Sequence, residues 1–179
     1  MRRRQYLALT SVSVLATTAG CLDTGDGSAG ELRMSRYDPA NTAYAPDGTG
    51  PTDDVTEEWS FTADRSIWAP PAVVDGTVYT ATGDGIVYAL RDGDEEWSFE
   101  ANEGVMMTPA VVDETVYSAT FPAPGAETGT PTVQALALDD GTRRWTRDVE
   151  TDEFLNASSV VDGTVYVNAG DTLYAYAEG

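Results

Sequence analysis

The sequence contains no histidine, no lysine and a single cysteine, Cys21. Without histidine there is no imidazole base, no Ser-His-Asp triad and no histidine-ligated metal. Without lysine there is no Schiff-base chemistry and no phosphate-loop lysine, and one cysteine excludes an internal disulfide. Carboxylates, hydroxyls, tyrosines and arginines remain. We therefore predict no catalytic, cofactor-binding or metal-binding residue, and a facing carboxylate pair is the one catalytic arrangement left open.

Positive charge is also scarce, with 10 arginines against 30 acidic residues and a net charge of −20. All 30 acidic residues lie after Cys21, and only seven of the arginines do. Such a surface repels phosphate backbones, so we expect no nucleic-acid partner. This composition, with scattered acidic residues and no lysine, resembles that of exported halophilic proteins, in which carboxylates keep the protein hydrated. A locally acidic face that binds Ca²⁺ is the alternative.

Residues 1–20 form a predicted signal peptide. A charged start, Arg2–Arg4, precedes a short apolar stretch at 7–19 that is too short to span a bilayer, which needs about 20 residues. The run at 3–7 resembles a twin-arginine export signal, and the Ala-Gly-Cys ending resembles a lipobox. These resemblances imply export and a lipid on Cys21, which would anchor the protein to the extracellular face of the cell membrane.

The rest of the chain divides into three parts. Residues 21–30 are rich in glycine, aspartate and serine and are predicted to form a flexible tether. Residues 31–56 hold several turn-forming pairs, which predict an irregular segment packed on the repeats. Strand-forming patterns become dense from residue 57, so we assign 57–179 to a repeat region.

One phrase occurs three times in the repeat region. Pro-Ala-Val-Val-Asp-Gly-Thr-Val-Tyr at 71–79 recurs at 109–117, with Glu114 in place of the glycine, and at 158–166, with two serines at its start. A tryptophan precedes each copy by 12 or 13 residues: Trp59, Trp97 and Trp145. The resulting periods of 38 and 48 residues, in β-rich sequence, predict stacked four-stranded antiparallel meanders, as in the blades of a β-propeller.

The second unit departs from the plan twice. Glu114 stands where a type I′ turn favours glycine, so we expect a different turn there. A proline-rich insertion at 121–130 replaces the tight second turn, and it is either a partner-binding loop or an idle insertion.

The two ends of the repeat region are incomplete in complementary ways. The third unit has three strands and lacks a tryptophan strand, whereas Glu57–Phe61 is a predicted tryptophan strand with no unit before it. An open three-blade arc, a truncated propeller and a dimer all fit this pattern. In the dimer, two chains exchange these strands and close a six-bladed ring.

The segment that ends at Trp145 resembles the pyrroloquinoline-quinone-type β-propeller repeat. Its alanine, glycine and tryptophan positions are matched by Ala135, Gly141 and Trp145, whereas Ala137 and Asp140 depart from the motif. Residues 34–44 also resemble the segment that precedes such repeats in haloarchaeal lipoproteins. The resemblance implies that the tryptophans at 59, 97 and 145 dock between neighbouring blades and are structural.

The resemblance implies a scaffold more readily than an enzyme. Quinoprotein dehydrogenases of this superfamily hold the quinone with several blades, a Ca²⁺ site and often a vicinal cysteine pair. This chain has three repeats and one cysteine, so no cofactor is predicted. We expect a lipid-anchored binding or scaffolding module whose partner is another envelope protein or a second copy of the chain. The alternative is a remnant or subunit of a PQQ-dependent, quinoprotein-like dehydrogenase, or a carboxylate-based hydrolase.

Two further features are open to a functional interpretation. Large apolar residues lie three positions before each copy of the phrase: Trp68, Met106 and Leu155. Packing at the start of a strand explains them, and any pocket is predicted where they converge. The acids at 92–96 suggest calcium, but their spacing is not that of a Ca²⁺ loop and favours a hairpin turn.

Overall fold

The structure, a computed structural model, describes residues 51, 53–101, 104, 107–121 and 129–179. Outside these residues lie the predicted signal peptide, Cys21, the tether, most of segment 31–56, Met106 and most of the insertion at 121–130. Every regular element within the described ranges is a β-strand. The same ranges contain no helix long and apolar enough to cross a membrane.

The strands form three antiparallel sheets in chain order, which we call blades 1, 2 and 3. Blade 1 contains β1 (Ala72–Val74), β2 (Thr77–Ala81), β3 (Ile86–Arg91) and β4 (Asp94–Glu100). Blade 2 contains β5 (Ala110–Val112), β6 (Thr115–Ala119), β7 (Thr132–Ala137) and β8 (Arg143–Asp148). Blade 3 contains β9 (Leu155–Val161), β10 (Thr164–Ala169) and β11 (Thr172–Ala177). Each blade is a meander, so the predicted all-β, partial-propeller architecture is confirmed.

The repeated phrase folds as the first hairpin of each blade. Asp75 and Gly76 have φ of 51° and 77°, and the corresponding Asp162 and Gly163 have φ of 48° and 72°. Positive φ at both central positions is the signature of a type I′ turn, which suits the strand twist. In the corresponding turn of blade 2, between β5 and β6, Asp113 has a φ of 51° but Glu114 does not have a positive φ. Glu114 thus avoids the left-handed region, so the expected departure from a type I′ turn is found.

A β-bulge precedes the tryptophan in the outer strand of blades 1 and 2. The register shifts between Ala89 and Leu90 in blade 1, and at the corresponding place in blade 2. One extra residue is thereby inserted, Glu96 in β4 and Arg144 in β8. A bulge redirects the side chains that follow it, and here it directs Trp97 towards the next blade.

Two apolar cores lie between the blades. The core between blades 1 and 2 joins Ala72, Val74, Tyr79, Ala81, Val87, Ala89 and Trp97 to Val111, Val116 and Leu136. The core between blades 2 and 3 joins Ala110, Ala119 and Val133 to Val160, Val165, Val167 and Ala169. Each blade therefore buries side chains against its neighbour, and the array is held together by contacts between successive repeats.

Because each blade is an antiparallel meander, the connections between its strands lie at two opposite ends of the array. At one end lie the turns after the first and third strands of the blades, and we call it the Asp-Gly end. At the other lie the turns after the second strands and the segments that lead into each blade, and we call it the linker end. Phe121, the first residue of the insertion at 121–130, lies at the linker end.

The predicted tryptophan strand at Glu57–Phe61 is not a strand in the structure. Its side chains nonetheless dock on blade 1: the rings of Phe61 and Tyr88 meet edge to face, with centroids 5.1 Å apart. A strand needs a hydrogen-bonded neighbour, and the described part of the chain provides none beside this segment.

Candidate functional site

Trp97 joins blade 1 to blade 2. Its indole nitrogen donates a hydrogen bond of 3.0 Å to the main-chain oxygen of Leu138, and its ring lies over Gly141 in the turn between β7 and β8. A Cβ at Gly141 would lie 2.6 Å from the ring. Glycine is therefore needed here both for the approach of the ring and for a φ of +69°.

The other two repeat tryptophans are more exposed. Trp59 packs over Gly93, where a Cβ would lie 3.1 Å from the tryptophan Cβ, and Trp59 is 38% exposed. Trp145 is 39% exposed and lies beside Tyr117, with ring centroids 6.0 Å apart. Trp59 thus repeats towards blade 1 the tryptophan-on-glycine contact that Trp97 makes towards blade 2.

A polar cleft of about 410 Å³ lies between blades 1 and 2 at the Asp-Gly end. The Nε of Arg91 donates to Glu96 at 2.8 Å, and Nη1 donates to the main-chain oxygen of Asp75 at 3.0 Å. The hydrogen bond with Glu96 is the main reason that the pKa of Arg91 is raised. The pair is largely exposed to solvent, so it contributes little to stability.

The opposite wall of this cleft holds Arg144, whose Nη1 donates to the hydroxyl of Thr115 at 2.8 Å. Tyr79 lines the cleft from blade 1, and burial raises the pKa of its phenol. Both guanidinium groups are held by groups of their own blade. The arrangement fits a polar contact between blades better than a reaction centre.

An aromatic patch occupies the linker end. The Trp68 ring lies over Gly83, and Gly104 lies so close to both Gly83 and Phe121 that a Cβ on it would be 2.7 Å from either. Phe121 is buried and meets Phe154 edge to face, with ring centroids 5.2 Å apart. This chain of contacts connects blade 1 to the segment that leads into blade 3.

The exposed part of this patch is apolar. Trp68 is 57% exposed, Phe154 51% and Ile67 41%. We call these three residues, with the buried Phe121 beneath Phe154, the linker-end patch. Exposed aromatic side chains on an otherwise strongly acidic protein make the linker-end patch a candidate interaction surface.

The residues of the predicted pocket are distributed differently. Trp68 belongs to the linker-end patch, Leu155 is buried in the core between blades 2 and 3, and Met106 lies outside the described residues. Their convergence therefore stays a prediction.

Phe121 and Phe154 were missed by the sequence reasoning. The available signal was the position of Phe154 directly before Leu155, and of Phe121 at the first residue of the insertion.

The acidic run at 92–96 forms the turn between β3 and β4 and the start of β4, with φ of 53° at Asp92 and 88° at Gly93. Among the described residues, no group of three or more histidine, cysteine, aspartate or glutamate side chains is placed to hold a metal ion. Cys21, the predicted lipidation site, lies outside those residues.

The solved structures that resemble this fold include two quinohemoprotein alcohol dehydrogenases and a BamB protein. The quinohemoprotein alcohol dehydrogenase ADHIIG from Pseudomonas putida HK5 is 26% identical, with a TM-score of 0.55 over 67% of this chain and 20% of that protein. The corresponding enzyme from Comamonas testosteroni is 20% identical, with a TM-score of 0.59 over 78% of this chain and 23% of that one. BamB from Moraxella catarrhalis is 18% identical, with a TM-score of 0.53 over 66% of this chain and 35% of that one.

The chain thus spans between about a fifth and about a third of the length of these three proteins. Comparison with curated protein sequences found no match. The family model described as outer membrane protein assembly factor BamB matches residues 51–178, most of the chain and the whole blade array. The chain therefore belongs to this family of pyrroloquinoline-quinone-like β-propeller repeat proteins.

Proposed function

We propose that this protein is an exported, lipid-anchored propeller module that binds other proteins of the cell envelope and holds them at the cell surface. Membership of a family named for an assembly factor supports a role in protein binding. The twin-arginine-like start and the lipobox-like ending at Cys21 support export and anchoring.

The linker-end patch is the observation that carries this proposal. Trp68 and Phe154 expose more than half of their surface, although burying large aromatic side chains is strongly favourable. A few residues carry most of the binding energy at protein interfaces, and tryptophan is among the residue types enriched there. Phe121 supports Phe154 from below, so the patch is presented on packed blades rather than on a free loop.

The insertion at 121–130 adds to this surface. It begins at Phe121, within the linker-end patch, and it breaks the repeat pattern that blade 1 follows at the same place. Insertions into one repeat of an array commonly lie on its binding face. We therefore infer that the insertion also takes part in protein binding.

Capture of partners from solubilised envelope tests this function. We expect the intact protein to retain a defined set of envelope proteins, and the variants Trp68→Ser and Phe154→Ser to lose them. Val55→Ser is the matched control, because Val55 is 72% exposed and precedes Trp59, which contacts the Asp-Gly end. Equal capture by all four proteins would contradict the assignment of the patch.

The anchor is tested separately by Cys21→Ser. The parent protein is expected in the membrane fraction and to carry a fatty acyl label, and the variant is expected in the medium without the label. A variant that stays in the membrane fraction would show that Cys21 is not the anchor.

The second candidate function is a subunit or remnant of a quinoprotein-like dehydrogenase, favoured by the 26% identity to one such enzyme. The described residues do not fit the quinone, which carries several carboxylates. The cleft between blades 1 and 2 presents Glu96, Glu114 and Asp139 alongside guanidinium groups that are already bonded. A titration with the quinone that shows saturable binding would overturn this judgement.

A further inference from the structure

The outer edge of β11 in blade 3 pairs with no strand in the part of the chain that the structure describes. Blades 1 and 2 carry a fourth strand at this place, β4 and β8. A groove of about 640 Å³ runs beside this edge, lined by Thr146, Arg147, Asp148, Glu150, Tyr174 and Tyr176 of β8, β11 and the segment after β8. An open edge presents unpaired N–H and C=O groups that favour pairing with another strand.

Residues 57–61 have the sequence of an outer strand but no sheet to pair with among the described residues. Their sequence, Glu-Glu-Trp-Ser-Phe, is identical to that of residues 95–99 in β4. Trp59 packs over Gly93 as Trp97 packs over Gly141. The segment therefore lies on blade 1 in the position that the outer strand of a preceding blade would take, but without a sheet of its own.

We propose that residues 57–61 of a second copy of this chain form the fourth strand of blade 3, hydrogen-bonded to β11. The exchange is mutual, so each chain gives one segment and receives one. An interface of this kind is isologous and closes as a dimer. The inference goes beyond the proposed function, because it names a second copy of the chain as a partner and places it at a surface other than the linker-end patch.

The charges along the groove match this occupant. Phe99 follows Trp97 by two residues, and the guanidinium of Arg143 in the next blade lies 5.9 Å from the centre of its ring. Arg147 holds the position of Phe99 in blade 2 and forms no ion pair with any described residue. Arg143 lies two residues before Trp145 in β8. In the strand added by the second copy, Glu57 lies two residues before Trp59 and so takes the position that Arg143 has in β8. Arg147 of one chain therefore meets Glu57 of the other.

The face of blade 3 that points away from blade 2 also exposes side chains whose counterparts in blade 1 are buried. Tyr166 and Ala175 are paired across β10 and β11, as Tyr79 and Ala89 are paired in blade 1. In blade 1 this pair is covered by blade 2, so Tyr79 is only 4% exposed and Ala89 is fully buried. In blade 3, Tyr166 is 37% exposed, and Leu173 on the same face is 69% exposed. Blade 1 of the second copy would cover this face.

Solution mass by light scattering tests the proposal. The purified protein is expected to have twice the mass of one chain, and Leu173→Glu, which changes an exposed residue and leaves the fold intact, is expected to have the mass of one chain. A parent protein with the mass of one chain at all concentrations overturns the proposal. A dimer that Leu173→Glu leaves unchanged also overturns it.

Exchanging the charges of Arg147 and Glu57 tests whether residues 57–61 of the second copy lie in the groove beside β11. At the lowest salt concentration at which the protein stays folded, Arg147→Glu is expected to weaken dimerisation at least tenfold, and adding Glu57→Arg is expected to restore it. Screening at molar salt would reduce the effect. Arg65→Glu carries the same charge change in the segment that leads into blade 1, where Arg65 lies beside Asp84, and is expected to leave the dimer unaffected. Failure of the double variant to recover would contradict the pairing of these two residues.

The outcomes separate this inference from the proposed function. The linker-end patch contains neither β11 nor residues 57–61, so the monomeric Leu173→Glu variant is expected to retain envelope proteins through Trp68 and Phe154. Retention by a monomeric parent protein would overturn the dimer and leave the proposed function standing.

Discussion

The indole of Trp97 donates a hydrogen bond to the main-chain oxygen of Leu138, 41 residues further along the chain. This bond joins the outer strand of blade 1 to the last turn of blade 2. The same ring covers Gly141, so one side chain both hydrogen-bonds and packs across the boundary between two repeats. Trp97 therefore fixes the position of blade 2 relative to blade 1.

Replacing Trp97 is expected to destabilise the protein far more than replacing Trp145. Trp97→Ala removes a buried ring and leaves an unpaired carbonyl, so we expect a loss of about 3–5 kcal/mol in the free energy of unfolding. Trp145 is 39% exposed, so Trp145→Ala is expected to cost about 1–2 kcal/mol. Urea denaturation of both variants checks this, and equal losses would contradict it.

Gly141→Ala and Gly163→Ala separate backbone strain from crowding. The two glycines have similar φ, +69° and +72°, so both substitutions incur a left-handed penalty of about 1–2 kcal/mol. A Cβ at Gly141 also meets Trp97 at 2.6 Å, whereas one at Gly163 meets nothing within 4 Å. We therefore expect Gly141→Ala to cost about 1–3 kcal/mol more. Losses of the same size would show that the ring does not press on this turn.

Tyr79 is expected to make the protein sensitive to alkali. Burial raises the pKa of its phenol above the unfolded value, which is about 10. The stability that comes from keeping the phenol protonated is complete below the unfolded pKa and is lost as the pH rises through the folded pKa. Tyr79→Phe should flatten the alkaline part of the stability profile. A variant that declines as steeply as the parent protein would refute the role of this residue.

Salt is expected to stabilise the protein. Thirty acidic residues face 10 arginines, and raising the salt from about 0.1 M to about 1 M shortens the screening length from about 10 Å to about 3 Å. Repulsion among the carboxylates falls, and the compact state gains most. Urea denaturation in increasing potassium chloride should give a rising free energy of unfolding. A flat or falling profile would count against the halophilic interpretation.

The architecture followed from the sequence because the repeated phrase fixes its own hairpin. Asp75 and Gly76 determine the turn, and the alternation around them determines which side chains are buried. The strand count, the three-stranded last blade and the altered turn at Glu114 were predictable for the same reason. Each depends only on residues that are close together in the sequence.

The linker-end patch was not predictable in this way. Trp68, Phe121 and Phe154 belong to three different units, and they lie at one end of the array because the antiparallel strands bring their connecting segments there. Sequence spacing gave no measure of their exposure. The segment at 57–61 was predicted as a strand because its residues match β4, but strand formation also requires a paired neighbour.

Amide hydrogen exchange at β11 tests the central claim, that the blade array is completed by a second copy, most directly. The outward amides of β11 are predicted to exchange slowly in the parent protein and rapidly in the monomeric Leu173→Glu variant. The outward amides of β8 serve as an internal reference and are predicted to exchange rapidly in both. Rapid exchange at β11 in the parent protein, at concentrations where dimer is expected, would contradict the account.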